Sequence, residues 1–121
     1  MKQLPLATGI VAALFFVAPA LAKTAYCSPT GDYCTSITRI HHVRYLQLGT
    51  FSFRGQVKIC VRDPRAHRTC HSFLLRKSGP VFQVKVIWKR HYPNPGPGTY
   101  RVTFFLGTTT KLGPALTFTL S

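Results

Sequence analysis

The chain has 121 residues, 45% of them hydrophobic, and carries 16 Lys and Arg against two Asp and no Glu, a formal charge of +14 at neutral pH. That length makes room for one domain and not for two. The only acids, Asp32 and Asp63, stand in turn-forming contexts, Asp63 directly before Pro64, which excludes hydrolysis by a dedicated pair of carboxylates.

Residues 1–22 read as a cleavable secretory signal. Lys2 supplies the charged start, Gly9 to Ala18 an uninterrupted apolar run, and Ala20-Leu21-Ala22 a small-residue cleavage site ahead of Lys23. The run is shorter than the roughly 20 residues that span a bilayer, and Pro19 closes it. An uncleaved membrane anchor is the alternative. A lipid anchor is not indicated, since no Cys stands at the expected new N-terminus. The expected mature domain, 23–121, loses Lys2 and so keeps 15 basic residues against two acids, a charge of +13. Charge of that size repels itself and steers the domain towards phosphates, sulfates and carboxylates.

Cys27, Cys34, Cys60 and Cys70 all fall in the mature part, and an even number in a small exported domain implies two disulfides in one of three connectivities. Local pairing, Cys27 with Cys34 and Cys60 with Cys70, is expected. The competing zinc site, completed by His67 or His71, is disfavoured by an oxidising compartment and by the absence of a C-x-x-C pair.

Along the mature chain, Ile37 to Leu48 is irregular and suggests one or two edge-like strands. From Thr50 onwards apolar and polar residues alternate with period two, punctuated by Gly and Pro, which predicts an all-β domain. Phe51 and Phe53 mark a short strand. Val57, Ile59 and Val61 alternate with Lys58, Cys60 and Arg62, a turn follows at Asp63 to His67, and a strand returns over Arg68 to Arg76. Folding that hairpin about Arg65 sets Cys60 opposite Cys70, Val57 opposite Phe73 and Arg62 opposite Arg68. Directly opposed residues lie within disulfide span, and so short a closed loop contributes roughly 2–3 kcal/mol on the chain-entropy model. Phe82, Val84, Val86 and Trp88 form the next apolar side, and Tyr92 to Gly98, with three prolines, must be a loop. Tyr100, Val102, Phe104 and Leu106 line another strand, Gly107 opens a turn, and Leu116, Phe118 and Leu120 line the last. About seven strands in a mature chain of this size is the count of a single immunoglobulin-like antiparallel sandwich.

The stretch Pro97-Gly98-Thr99-Tyr100-Arg101-Val102-Thr103-Phe104, followed by a tight turn and a terminal strand, resembles the penultimate-strand Gly-x-Tyr-x-Val pattern of bacterial immunoglobulin-like and fibronectin-like domains. The resemblance covers about a quarter of the mature chain. It implies a sandwich whose corner Tyr100 helps to fix, and no activity, since such domains serve as binding modules, spacers and adhesin parts. A disulfide between neighbouring strands departs from the inter-sheet bridge of antibody domains, so the environment of Trp88 is not carried over.

No nucleophile elbow, zinc-protease motif or phosphate loop occurs, and no cofactor or metal is indicated. His41, His42, His67, His71 and His91, with nearby cations, could supply the acid, base and clamp of a secreted phosphodiesterase or nuclease, but no spacing selects a pair. The stronger pattern is basic. Lys58, Arg62, Arg68 and Arg101 are expected to share the solvent face of one sheet with Phe105, extended at the hairpin tip by Arg65 and His67. Ordinary solvated strand faces explain the alternation but not the near-absence of acids. The expected function is a non-catalytic binding domain for an anionic polymer or surface outside the cytoplasm, peripheral membrane contact included. Because neutral imidazoles add no charge, binding is expected to strengthen as pH falls through about 6.5. A nuclease and a structural envelope or adhesin-type spacer are the alternatives.

Overall fold

Successive side chains of a strand point to opposite faces, so a chain that alternates apolar with polar residues can bury its apolar sides between two sheets. The computed structural model describes residues 23–121, and the leader read from residues 1–22 lies outside the described residues. In chain order the strands are β1 (Ala25–Cys27), β2 (Tyr33–Ile40), β3 (Val43–Thr50), β4 (Gln56–Arg62), β5 (Arg68–Leu74), β6 (Arg76–Ser78) and β7 (Val81–Ile87). A single helical turn, α1 (Trp88–His91), precedes β8 (Gly98–Leu106), β9 (Thr110–Lys111) and β10 (Leu116–Leu120).

One antiparallel sheet runs β1-β2-β3-β7-β6; the other runs β9-β8-β4-β5, with β10 also on β8. In immunoglobulin lettering the first contains A-B-E-D (β2-β3-β7-β6) and the second G-F-C-C′ (β10-β8-β4-β5). The all-β sandwich and both disulfides agree with the sequence reading. Cys27 opposes and bridges Cys34 across β1 and β2, and Cys60 does the same with Cys70 across β4 and β5. Three short strands, β1, β6 and β9, raise the count from seven to ten among the described residues.

Between the sheets lie Leu46, Leu48, Val57, Ile59, Val102, Phe104 and Leu116, all essentially inaccessible. Four local expectations are corrected. The irregular stretch holds two full strands, and β3 is central, hydrogen-bonded to β2 and β7. Its pattern is obscured because Arg44 and Thr50 take the same side as Leu46 and Leu48. Phe51 and Phe53 form no strand: Phe51 N–H donates to Asp32 O and Ser52 N–H to Thr50 Oγ1, bending the chain and leaving Phe51 66% exposed. The strand read over Arg68 to Arg76 breaks at Leu75, whose N–H donates to Gly55 O as the chain crosses to the other sheet. Trp88 leaves the strand as the first residue of α1, yet its ring is buried edge-on to Tyr100 and Phe118.

Two tyrosines tie the connection after α1 to the second sheet. The Tyr100 hydroxyl donates to Gly96 O at 2.6 Å, the back-bond of a tyrosine corner, and lies 3.1 Å from Asn94 Oδ1. The Tyr92 hydroxyl donates to Ile59 O at 2.7 Å inside the core, and burial pushes its pKa well above the usual tyrosine value. At Gly98 the backbone has φ +132°, and an added Cβ would stand 2.6 Å from Pro64 Cβ, so the start of β8 is packed against the β4–β5 turn.

Two outcomes are expected. Gly98→Ala, strained in backbone and driven into Pro64, should lower stability by at least about 2 kcal/mol in non-reducing urea denaturation. Tyr92→Phe should cost about 1 kcal/mol at neutral pH. The folded state holds the Tyr92 proton more tightly than the unfolded chain, so its stabilisation is complete below the unfolded value of about 10 and is lost as pH rises above it. The wild-type urea midpoint should therefore fall more steeply above pH about 10 than that of Tyr92→Phe; parallel profiles would contradict the assignment.

Candidate anion-binding surface

Register decides which side chains share a face. On β5, β4 and β8, Arg68 stands directly opposite Arg62, and Arg62 directly opposite Arg101. All three are exposed and point away from the core, since Val61 and Val102, their neighbours in sequence, are buried. Directly opposed residues have Cα atoms about 4.5–5.5 Å apart, so three guanidinium stems rise side by side from neighbouring strands. Next along the face comes the Cys60–Cys70 bridge, and beyond it the row of Ser72, Lys58, Phe105 and Lys111. Lys58 Nζ sits 4.7 Å and Arg68 Cζ 5.8 Å from the centre of the Phe105 ring, so one aromatic ring serves two cations.

The hairpin tip is built by Asp63. Its buried carboxylate Oδ1 accepts from Arg65 N–H (2.9 Å) and His67 N–H (3.0 Å), while its own backbone pairs with His67 and Ala66. Pro64 fits the second position of such a turn, and Ala66 takes the left-handed conformation at φ +67°. Arg62 Nη1 donates to Ala66 O at 3.1 Å, fixing that guanidinium while leaving its other donors free. The acid that a charge count sets against the cations is thus spent on backbone amides. All six residues expected on the basic face, Lys58, Arg62, Arg65, His67, Arg68 and Arg101, lie on the outer face of this sheet or on its tip.

A second basic group was not foreseen. His41 and His42, both at positive φ (50° and 67°), make the two-residue turn between β2 and β3, and this sets Arg39 directly opposite Arg44. Arg44 Cζ lies 4.4 Å from the centre of the Phe118 ring, and burial together with the charge of Arg39 lowers its pKa. Arg39 Nη2 lies 3.2 Å from His42 Nδ1; a guanidinium can only donate, so Nδ1 accepts. With Lys89 and Thr119 these residues line a depression of about 310 Å³. The signal was the near-symmetric Arg39-Ile40-His41-His42-Val43-Arg44, hidden because two histidines are unusual where Asn-Gly is favoured.

Both groups lie at one end of the sandwich. The end of β2 and start of β3 adjoin the end of β7, where α1 begins; the end of β4 and start of β5 adjoin the start of β8 and the end of β10. Arg39, Arg44, Arg62, Arg65, Arg68, Lys89, Arg90 and Arg101 are gathered there, eight of the 15 cations after Lys2. Among the histidines, His71 and His91 come within 6.2 Å between ring centres, but both are packed against Phe73, and His71 is edge-on to Tyr92. No group of three or more metal-ligating side chains occurs among the described residues, and no helix there is long and apolar enough to cross a membrane. No family model, curated protein or solved structure matches the chain.

Proposed function

We propose that this is a non-catalytic binding domain which, after export, docks the basic end of its sandwich on a polyanion outside the cytoplasm. The candidates are an anionic cell-wall polymer, an acidic polysaccharide, phospholipid headgroups or extracellular nucleic acid. The observation that carries the reading is the row Arg68, Arg62, Arg101 at opposed positions on three adjacent strands. Like charges directly opposed are destabilising, and a bound anion reverses the sign of that contribution. Arg39 opposite Arg44 repeats the motif on the other sheet, at the same end. Regularly spaced charges suit a polymer with repeating anionic groups better than a single small anion. Two disulfides are in keeping with an oxidising compartment outside the cytoplasm.

The test is retention on immobilised polyphosphate and on a DNA oligonucleotide, measured against salt. Arg62→Gln, Arg65→Gln and Arg68→Gln together should weaken binding at least about tenfold at physiological salt. They should also reduce the slope of log affinity against log salt by about 2–3. Unchanged retention in a variant with native near-UV circular dichroism removes the hairpin from the reading. One observation favours the phosphodiesterase alternative, the His71–His91 pair beside Arg90. Its test is cleavage of RNA or DNA between pH 5 and 8 that disappears in His71→Ala or His91→Ala; absence of cleavage disposes of it.

A further inference from the structure

Along the outer edge of β7, the first sheet has a notch. β6 pairs with only the first part of β7, Arg76 with Gln83, Lys77 with Phe82 and Ser78 with Val81. The crossover at Leu75 carries the preceding chain into the other sheet as β5. Among the described residues, Val84–Ile87 therefore keep β3 on one side and have no strand on the other. A groove of about 530 Å³ runs along this notch.

The groove is bordered by strand edges, not by sheet faces. On β7 every residue from Gln83 to Ile87 lines it, although Val84 and Val86 face the core and Lys85 faces solvent. On β5 the inward Phe73 and the outward Leu74 both line it. Leu74 is 54% exposed, one of three large hydrophobic residues so placed among those described. Alternate residues of a strand direct their N–H and C=O groups to opposite edges, so about half the backbone groups of Val84–Ile87 face the groove. Its rim is cationic: Arg76 and Lys77 at one end, Arg90 at the other, and Lys85 between, its Nζ 4.6 Å from the centre of the Tyr45 ring.

We propose that this notch takes a short extended segment of another protein as an added antiparallel strand on β7, continuing the line of β6, and that the segment alternates acidic with apolar residues. Four residues, about 13 Å at strand rise, fill the open length. Residues of the added strand on the outer face fall beside Lys85 and should be acidic; those on the inner face meet Val84, Val86 and Phe73 and should be apolar. A second copy of this chain is a poor occupant, because each copy carries a formal charge of +14 and presents the same cationic rim. The proposal does not depend on polyanion binding at the basic end, with which the groove shares only Arg90.

The experiment uses an acetylated, amidated peptide of alternating valine and glutamate, six residues long. Two counterparts are N-methylated, one on every valine and one on every glutamate. Methylating one alternate set blocks only one edge of a strand, so one counterpart should bind at least about tenfold more weakly than the parent and the other nearly as well. In hydrogen exchange on the unsubstituted protein, the parent peptide should slow amides within Val84–Ile87. Lys85→Glu should weaken the peptide about tenfold, whereas Arg62→Gln with Arg68→Gln should leave it within twofold. Both methylated peptides binding like the parent, or peptide affinity lost with the Arg62 and Arg68 substitutions, would show attraction by charge alone and overturn the proposal. No binding at millimolar peptide overturns it as well.

Discussion

The register of β4 is the constraint on which the rest of the molecule depends. It is an interior strand of its sheet, with β5 on one side and β8 on the other, and its side chains alternate between Val57, Ile59 and Val61 in the core and Lys58, Cys60 and Arg62 outside. A slip of one residue would send Arg62 inwards and Val61 to solvent. Cys60 and Cys70 oppose each other only in the β4–β5 register that also aligns Arg68 with Arg62, and the separate β4–β8 register sets Arg101 opposite Arg62. The same covalent bond that fixes the β4–β5 register therefore lines up Arg62 and Arg68, two like charges that would otherwise drift apart.

That alignment opposes stability, and the fold answers it locally. Arg62 lies on the turn carbonyl of Ala66, Arg68 and Lys58 rest on Phe105, and Arg44 rests on Phe118. Each cation is held by a dipole or an aromatic face and not by a carboxylate. Asp63 holds its turn through backbone amides, and Asp32 offers its main-chain carbonyl to Phe51 N–H and Thr50 Oγ1. An anion docking there, as proposed, would meet guanidinium groups held in place without a carboxylate to displace, the condition under which binding loses least to ordering.

Much of this was legible in the sequence, and the reason is local geometry. The β4–β5 hairpin is closed by a short turn with Asp and Pro in positions that fix it, so opposed residues follow by counting from Arg65. Tyr100 was legible through the Gly-x-Tyr-x-Val resemblance, and the partner it takes, Gly96, is four residues away. What was not legible depends on strands brought together from afar or on side chains that break the pattern. β3 conceals its central position because Arg44 and Thr50 occupy inward sites. Phe51 keeps an apolar alternation that the bend at Ser52 never uses. The edge notch follows from where the chain crosses at Leu75, which no alternation announces.

The two bridges each join neighbouring strands of one sheet, across only 7 and 10 positions of sequence, and neither connects sheet to sheet. Mechanically, the sandwich therefore has no covalent stop. A molecule attached to a surface by its basic end and pulled from elsewhere would let its sheets part and its chain run out almost to full contour length with both bridges intact, hiding only the residues inside two small loops. A sandwich stapled through its core would stop extending at the staple. The short bridges instead return each hairpin already in register when the load is removed.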